Sequence, residues 1–167
     1  MISFAKEDAI ADLGLIACPG AEELCKLVDS HLVRWAREVG NTDVDTFIIP
    51  SDCPRFQSGD AKGLVKASTR GDDLYIFVDP GNYSVTYQLF GYENHLSPDD
   101  HFQNLMRLIQ AVAGRAHRIS VIMPSLYGGR QHRRVSRESL DCAFALQQLR
   151  DVGVKNIITF DAHDPAS

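Results

Sequence analysis

No apolar run in this chain approaches the length of a membrane span. The opening Met1-Ile2-Ser3-Phe4-Ala5-Lys6-Glu7-Asp8 is charged too early, and has too little apolar content, for a signal peptide, so a cytoplasmic location is expected. Paired cysteines are lacking as well: Cys18, Cys25, Cys53 and Cys142 form no Cys-x-x-Cys and no zinc spacing, and they read as reduced core thiols. Nor is there an excess of positive charge. A formal net charge of -5 over 167 residues excludes a global attraction to nucleic acid or to anionic membranes. A Gly-x-Ser-x-Gly turn, a Walker loop, a dinucleotide fingerprint and a Ser-His-Asp order are all missing, which removes the commonest hydrolase, P-loop and Rossmann cofactor readings. No internal repeat or low-complexity tract is found.

What is present is a 44% hydrophobic chain of a length that suits one domain with a sizeable core. Short apolar runs alternate with segments of helical period, the pattern of a parallel sheet covered by helices. Strands are expected at Leu13–Ala17, Thr46–Ile49, Leu74–Val78, Ile119–Met123 and Asn156–Phe160. After Pro19-Gly20, the acids Glu22 and Glu23 suit a helix amino end, and Leu24, Val28, Leu32, Trp35 and Val39 recur on one face before Gly40, with Trp35 read as core. Ser97-Pro98-Asp99-Asp100 supplies a cap, a first-turn proline and two acids for a second helix that Gly114 stops. A third helix is expected from about Arg137 to Asp151, with Leu140, Ala143 and Phe144 on its apolar side. Phe56 to Val65 reads as a turn between short extended pieces, and the aromatic stretch Gly81 to His95 as a surface hairpin.

Two loops carry candidate chemistry. Pro124-Ser125-Leu126-Tyr127-Gly128-Gly129-Arg130-Gln131-His132-Arg133-Arg134 follows an apolar strand, and in open parallel sheets ligands gather beyond the carboxyl ends of the strands. Arg130 presents a planar fork of donors suited to phosphate oxygens, and Gln131 can donate and accept. Gly128 and Gly129 allow the backbone to come close to a ligand. Glycines that merely turn the chain, an Arg130 paired with a surface acid and a solvated basic face are the alternatives on these residues alone. The second loop begins with Asp161 and His163 at the end of the last strand. An oxygen and an imidazole there suit a metal, and a hydrogen-bonded strand-end histidine fits as well. If the two strands are neighbours, Arg130 and Asp161 share a site. His31, His95, His101 and His117 offer no ligand spacing.

From about Leu13 to Asp164 the chain resembles the amino-terminal half of the ribose-phosphate pyrophosphokinase family, the phosphoribosyl pyrophosphate synthetases. Ordered pieces carry the likeness. Arg55-Phe56-Gln57-Ser58-Gly59-Asp60 is similar to the family's Arg-Phe-x-Asp-Gly-Glu-like run, and Thr69-Arg70-Gly71-Asp72-Asp73 to its Val-Arg-Gly-Lys-Asp. Gln103-Asn104-Leu105-Met106 is similar to Asp-Asn-Leu-Met. Arg130-Gln131 with Ser136-Arg137-Glu138 resembles Arg-Gln-Asp followed by Ser-Arg-Glu, and Thr159-Phe160-Asp161-Ala162-His163 resembles Thr-Met-Asp-Leu-His.

The resemblance implies an α/β, phosphoribosyltransferase-like fold, a mainly parallel sheet flanked by helices. It divides the chain into an amino-terminal extension, residues 1–12, and one ATP-side domain, residues 13–167, with the carboxyl-terminal domain absent. It implies transfer of the diphosphate of ATP to ribose 5-phosphate with Mg2+ as the cofactor, giving phosphoribosyl pyrophosphate and AMP for nucleotide biosynthesis. Arg130 and Gln131 would hold ATP, and His163 with Asp161 would serve the metal. Phe56, Ser58, Gly59 and Asp60 would hold the adenine of a neighbouring subunit, so a homo-oligomer is implied. Ribose 5-phosphate would bind through the missing half, which leaves this chain inactive alone. His132 stands where the family has Asp, Ser58 replaces an acid, Asp60 is shorter than Glu, and Gly81 to His95 is an insertion. These departures keep a second reading in play, a non-catalytic synthetase-associated regulatory protein.

Overall fold

A computed structural model of the protein describes residues 10–112 and 114–162, so His163 and most of the expected amino-terminal extension lie outside the described residues. Strand β1 (Leu13–Ala17) is buried along its middle. Its side chains alternate between faces, as pleating requires: Ile16 joins the larger apolar cluster and Leu15 the smaller one. Helix α1 (Glu22–Glu38) follows, with Glu22 and Glu23 in its first turn and Arg37 in its last, the arrangement that complements the helix dipole. It lies over the Leu15 face through Ala21 and Cys25, with Leu24, Val28 and Leu32 half-buried around them.

A short antiparallel ribbon of β2 (Ser51–Asp52) and β3 (Leu64–Val65) precedes strand β4 (Asp73–Phe77). Gly63 sits where an added Cβ would fall 2.5 Å from the Arg107 carbonyl oxygen, so only glycine lets this ribbon rest on the helix behind it. Next comes the hairpin of β5 (Thr86–Leu89) and β6 (Tyr92–His95), as the aromatic stretch predicts. Its two-residue turn, Phe90-Gly91, carries positive φ at both positions, the signature of the tight turns that fit strand twist.

Helix α2 (Pro98–Val112) is the core's main beam, with Leu105, Leu108, Ile109 and Val112 fully buried. Each such side chain contributes roughly 1.5–3 kcal/mol by leaving water. Its start is the one the sequence predicts. The Asp100 N–H donates to Ser97 Oγ at 3.1 Å, and the Ser97 N–H donates back to Asp100 Oδ2 at 3.0 Å, a reciprocal cap. Strand β7 (Arg118–Ile122), helix α3 (Asp141–Asp151) and strand β8 (Asn156–Ile158) complete the described chain. The strands form one parallel sheet in the order β1-β4-β7-β8. Side chains of α2 and α3 pack with Leu74, Ile76, Val78, Ile119 and Val121 on one face, and α1 covers the other.

Five expectations need correction. Thr46–Ile49 does not extend into a strand: only Ile48 bridges to Leu15, through the Leu15 N–H to Phe47 O at 2.9 Å and the Ile49 N–H to Leu15 O at 2.8 Å. Pro50 follows and has no N–H to continue the ladder. Trp35 is 44% exposed, because the small side chains of Cys25 and Ala36 let α1 lie close to the sheet and leave the larger ones at its margins. Helix α3 begins at Asp141 rather than Arg137, since side chains tie the preceding segment into irregular turns. Gln131 Nε2 donates to Ser139 O at 3.3 Å, and the Val135 N–H to Glu138 Oε2 at 3.2 Å. The buried stripe of α3 is Cys142, Ala145 and Leu149, while Phe144 is 64% exposed. The last strand ends at Ile158, where Phe160 and Asp161 both turn their N–H groups to Pro124 O at 3.1 and 3.0 Å.

Candidate functional site

The pairing of β7 with β8 aligns Val121 with Ile157 and Ile122 with Ile158, so the loops that follow both strands leave the same sheet edge side by side. A further parallel bridge joins Ser125 to Asp161 beyond the strands, and the Leu126 N–H donates to Asp161 O at 3.3 Å. The two informative loops are thus stitched together by backbone. Between them and the start of α2 lies a cleft of about 520 Å³, lined by Pro80, Gly81, Asp99, Tyr127, Gly128, Arg130, Gln131, Asp141 and Asp161 among others.

Gly128 has φ +69°, and a Cβ there would sit 3.1 Å from the Cys142 N and 3.2 Å from the Asp141 C. The glycine therefore serves the close approach of the loop to the first turn of α3, a packing reason beside the turn and the ligand approach that the sequence left open. Gln131 is held by its own backbone, its N–H donating to Gly128 O at 2.8 Å, and its side chain reaches Ser139 O. Tyr127 lies stacked on Phe102 with ring centroids 4.4 Å apart and donates its hydroxyl to Asp99 Oδ1 at 2.7 Å. Burial, and then the Asp99 carboxylate, push the Tyr127 hydroxyl up to about 12, so it keeps its proton and remains a donor. Neither Tyr127 nor Asp99 was singled out from the sequence. The only signal was that Asp99 and Asp100 cap a helix aimed at this edge.

Arg130 is exposed at the cleft and makes no hydrogen bond or ion pair among the described residues. Among the described residues no acid pairs with it, the alternative that the sequence left open. Asp161 is likewise exposed, bonded through its backbone, with no side chain among the described residues on its carboxylate. The cleft thus holds three carboxylates, Asp99, Asp141 and Asp161, against one guanidinium. A free polyanion would meet net repulsion there, whereas an anion carrying a divalent cation would not. Among the described residues no group of three or more His, Cys, Asp or Glu is placed to hold a metal by itself. A cation at Asp161 would take its other ligands from phosphate oxygens and water, a mode that suits Mg2+.

The remaining predicted residues stand elsewhere. Phe56, Ser58, Gly59 and Asp60 do not line the cleft. They form a tight exposed turn closed by the Phe56 N–H to Asp60 O at 2.7 Å and the Gly59 N–H to Phe56 O at 2.9 Å. Ser58 Oγ donates to Asp60 Oδ2 at 2.9 Å, and Phe56 is 52% exposed under the Lys62 ammonium, 5.9 Å from its ring centre. Arg55, part of the motif behind the resemblance but given no role there, ties this turn to α2 through Asp100 Oδ1 at 2.7 Å. Adjacent aspartates in the first turn of one helix therefore hold the two candidate loops, Asp99 the cleft and Asp100 the Phe56 turn.

The profile of the N-terminal domain of ribose phosphate pyrophosphokinase matches residues 13–153. The chain is 26% identical over 140 residues to ribose-phosphate pyrophosphokinase 1 of Candida albicans, which covers 83% of this chain and 40% of that protein. Its fold is similar to that of the crystal structure of phosphoribosylpyrophosphate synthetase from Mycobacterium smegmatis, with a TM-score of 0.69 and 21% identity. That match covers 92% of this chain and 44% of the other. The chain thus spans less than half the length of either relative.

Proposed function

This chain belongs to the family of the N-terminal domain of ribose phosphate pyrophosphokinase, and from that premise we propose that it is the ATP-side domain of an enzyme that moves a diphosphate group from Mg-ATP to ribose 5-phosphate. In that reaction the 1-hydroxyl oxygen bonds to the β-phosphorus, the bond from that phosphorus to the α-phosphate oxygen breaks, and AMP leaves while the hydroxyl gives up its proton. Little covalent work falls to the protein in such a transfer. Positioning and charge neutralisation supply the acceleration. Arg130 grips phosphate oxygens with its fork and Gln131 orients the nucleotide beside it. Asp161, with His163, serves Mg2+, which when bound neutralises the charge of the triphosphate. Phe56, Ser58, Gly59 and Asp60 present a ring, a backbone and two short polar groups to the adenine of a nucleotide on a neighbouring subunit. The sugar phosphate is left to chain outside this domain.

The observation that supports this reading is the joint placement of Arg130 and Asp161 in one cleft beyond paired strands, each without a side-chain partner among the described residues. Calorimetric titration of the chain with ATP, with and without Mg2+, tests it. Binding should require Mg2+, and Arg130→Ala should weaken it roughly thirtyfold, the equivalent of about 2 kcal/mol for a charge-assisted contact. Arg130→Lys should fall between, since lysine keeps charge and loses the fork. Equal affinity in wild type and Arg130→Ala would remove Arg130 from the site.

A further inference from the structure

The β5–β6 hairpin is unaccounted for by the proposed reaction, yet its inward side chains land on the Phe56 turn as well as on the turn after β1. Val85, Tyr87 and Leu89 alternate on one face and are half-buried. Val85 lies on the turn after β1, where a Cβ on Gly20 would come 2.8 Å from Val85 Cγ2. Leu89 lies on the Phe56 turn, where a Cβ on Gly59 would come 3.2 Å from Leu89 Cδ1. Between them, the Tyr87 ring lies under the Arg55 guanidinium, 4.2 Å from its centroid. The hairpin base is fixed as well. Asn82 Nδ2 donates to Gly20 O at 2.8 Å, His101 Nε2 donates to Asn82 O at 2.7 Å, and Tyr83 stacks on His95 at 4.2 Å.

Arg55 is the piece that makes this matter. Its Nη1 donates to Gly59 O at 2.9 Å and its Nη2 to Asp100 Oδ1 at 2.7 Å, while its Nε is buried with no hydrogen-bond partner. A buried cationic donor without a hydrogen-bond partner is costly, and the face of the Tyr87 ring, stacked on the same guanidinium, offsets part of that cost. We propose that Tyr87, on the inserted hairpin, is a positioning residue for the nucleotide-contacting turn: its ring holds Arg55 in the plane from which the guanidinium grips Gly59 and so fixes the angle at which Phe56 is presented. The inference rests on the reading of the Phe56 turn as a nucleotide contact. It concerns a residue that touches no ligand.

Amide hydrogen exchange of the purified chain reads the effect at the two N–H groups that close the turn, those of Phe56 and Gly59. Tyr87→Ala should speed exchange at both by about tenfold, the scale of a partly desolvated cation–π contact, and leave the amides of α2 and β4 unchanged. Tyr87→Phe, which keeps the ring, should restore protection. Unchanged exchange in Tyr87→Ala overturns the proposal, and so does a loss that spreads through α2, since that marks a general packing role. Mg-ATP affinity separates this from the underlying reading. If the turn loosens while neither Tyr87→Ala nor Phe56→Ala alters affinity in the assembled protein, the positioning inference stands and the nucleotide role of the turn falls.

Discussion

Replacing Arg55 with methionine keeps the length of the stem and removes every polar contact of the head. Three are lost: the ion pair with Asp100, the bond to Gly59 O and the stacking on Tyr87. The side chains of Arg55 and Asp100 are only 12% and 25% exposed, so solvent screens the pair far less than a surface bridge. Asp100 is not orphaned, because Ser97 still donates its N–H and its hydroxyl at 3.0 and 2.9 Å. A hydrogen bond to a charged group contributes roughly 1.5–3 kcal/mol and a cation–π contact about 1 kcal/mol, so a loss of about 3 kcal/mol is expected with Ser97 softening the remainder. For a chain of this size that lowers Tm by about 6–12 °C. Urea unfolding of wild type, Arg55→Met, Asp100→Asn and the double variant should give a coupling of at least about 1.5 kcal/mol between the two positions. The pH dependence follows from Asp100. Burial works to raise its pKa, but the Ser97 N–H, the Arg55 guanidinium and the Ser97 hydroxyl together outweigh it and hold the carboxyl below its ordinary 3.8. Unfolded Asp100 thus takes up its proton at a higher pH than folded Asp100. The contribution is complete above the unfolded value and disappears as pH falls through the folded one. The coupling should therefore be full at pH 6 and gone under strongly acid conditions. Arg55→Met within about 0.5 kcal/mol of wild type at pH 6 would refute this reasoning.

Two more outcomes are expected. Phe90 carries φ 49° in the hairpin turn, a left-handed conformation that costs an ordinary side chain roughly 1–2 kcal/mol and that asparagine tolerates, so Phe90→Asn should stabilise the chain by about 1 kcal/mol in urea unfolding. All four cysteines are buried, and burial raises every thiol, Cys25 to about 12 and Cys53 to about 11, so a thiol reagent at pH 8 should modify the native chain slowly and the unfolded chain at once.

The secure parts of the fold were legible where a local rule and burial agreed. Helix α2 shows both, a reciprocal Ser97–Asp100 cap and an apolar face, and it begins and ends where the sequence puts it. Helix α3 shows the reverse: Arg137 and Glu138 fall within the expected helix, but Glu138 spends its carboxylate on the Val135 N–H and the helix waits until Asp141. Trp35 misled because hydrophobic period ranks side chains by kind and not by the closeness that Cys25 and Ala36 permit. Arg130 and Asp161 were legible as residues beyond strand ends, whereas Tyr127 in the cleft and Arg55 at the Phe56 turn act through partners more than twenty-five positions away, Asp99 and Asp100. The intervals, 28 and 45 residues, are not marked by any spacing rule.

The charges of the cleft narrow what it can hold. Asp99 is engaged by the Tyr127 hydroxyl, and Asp141 sits in the first turn of α3, where the helix dipole favours a carboxylate. Among the described residues, Asp161 is the carboxylate and Arg130 the cation of this cavity with no side-chain partner. Were the ligand a plain anion, Arg130 would be satisfied and Asp161 would oppose it; were it a plain cation, the reverse would hold. At about 4 Å and an effective dielectric of 20, each like-charge contact costs about 4 kcal/mol, comparable to the attraction gained. On the proposed reading, a phosphate chain bearing a divalent cation is the ligand that turns both residues to advantage. The backbone bridge between Ser125 and Asp161 joins the loops that carry these two residues, so on that reading the pair is brought together by the sheet edge before any ligand arrives.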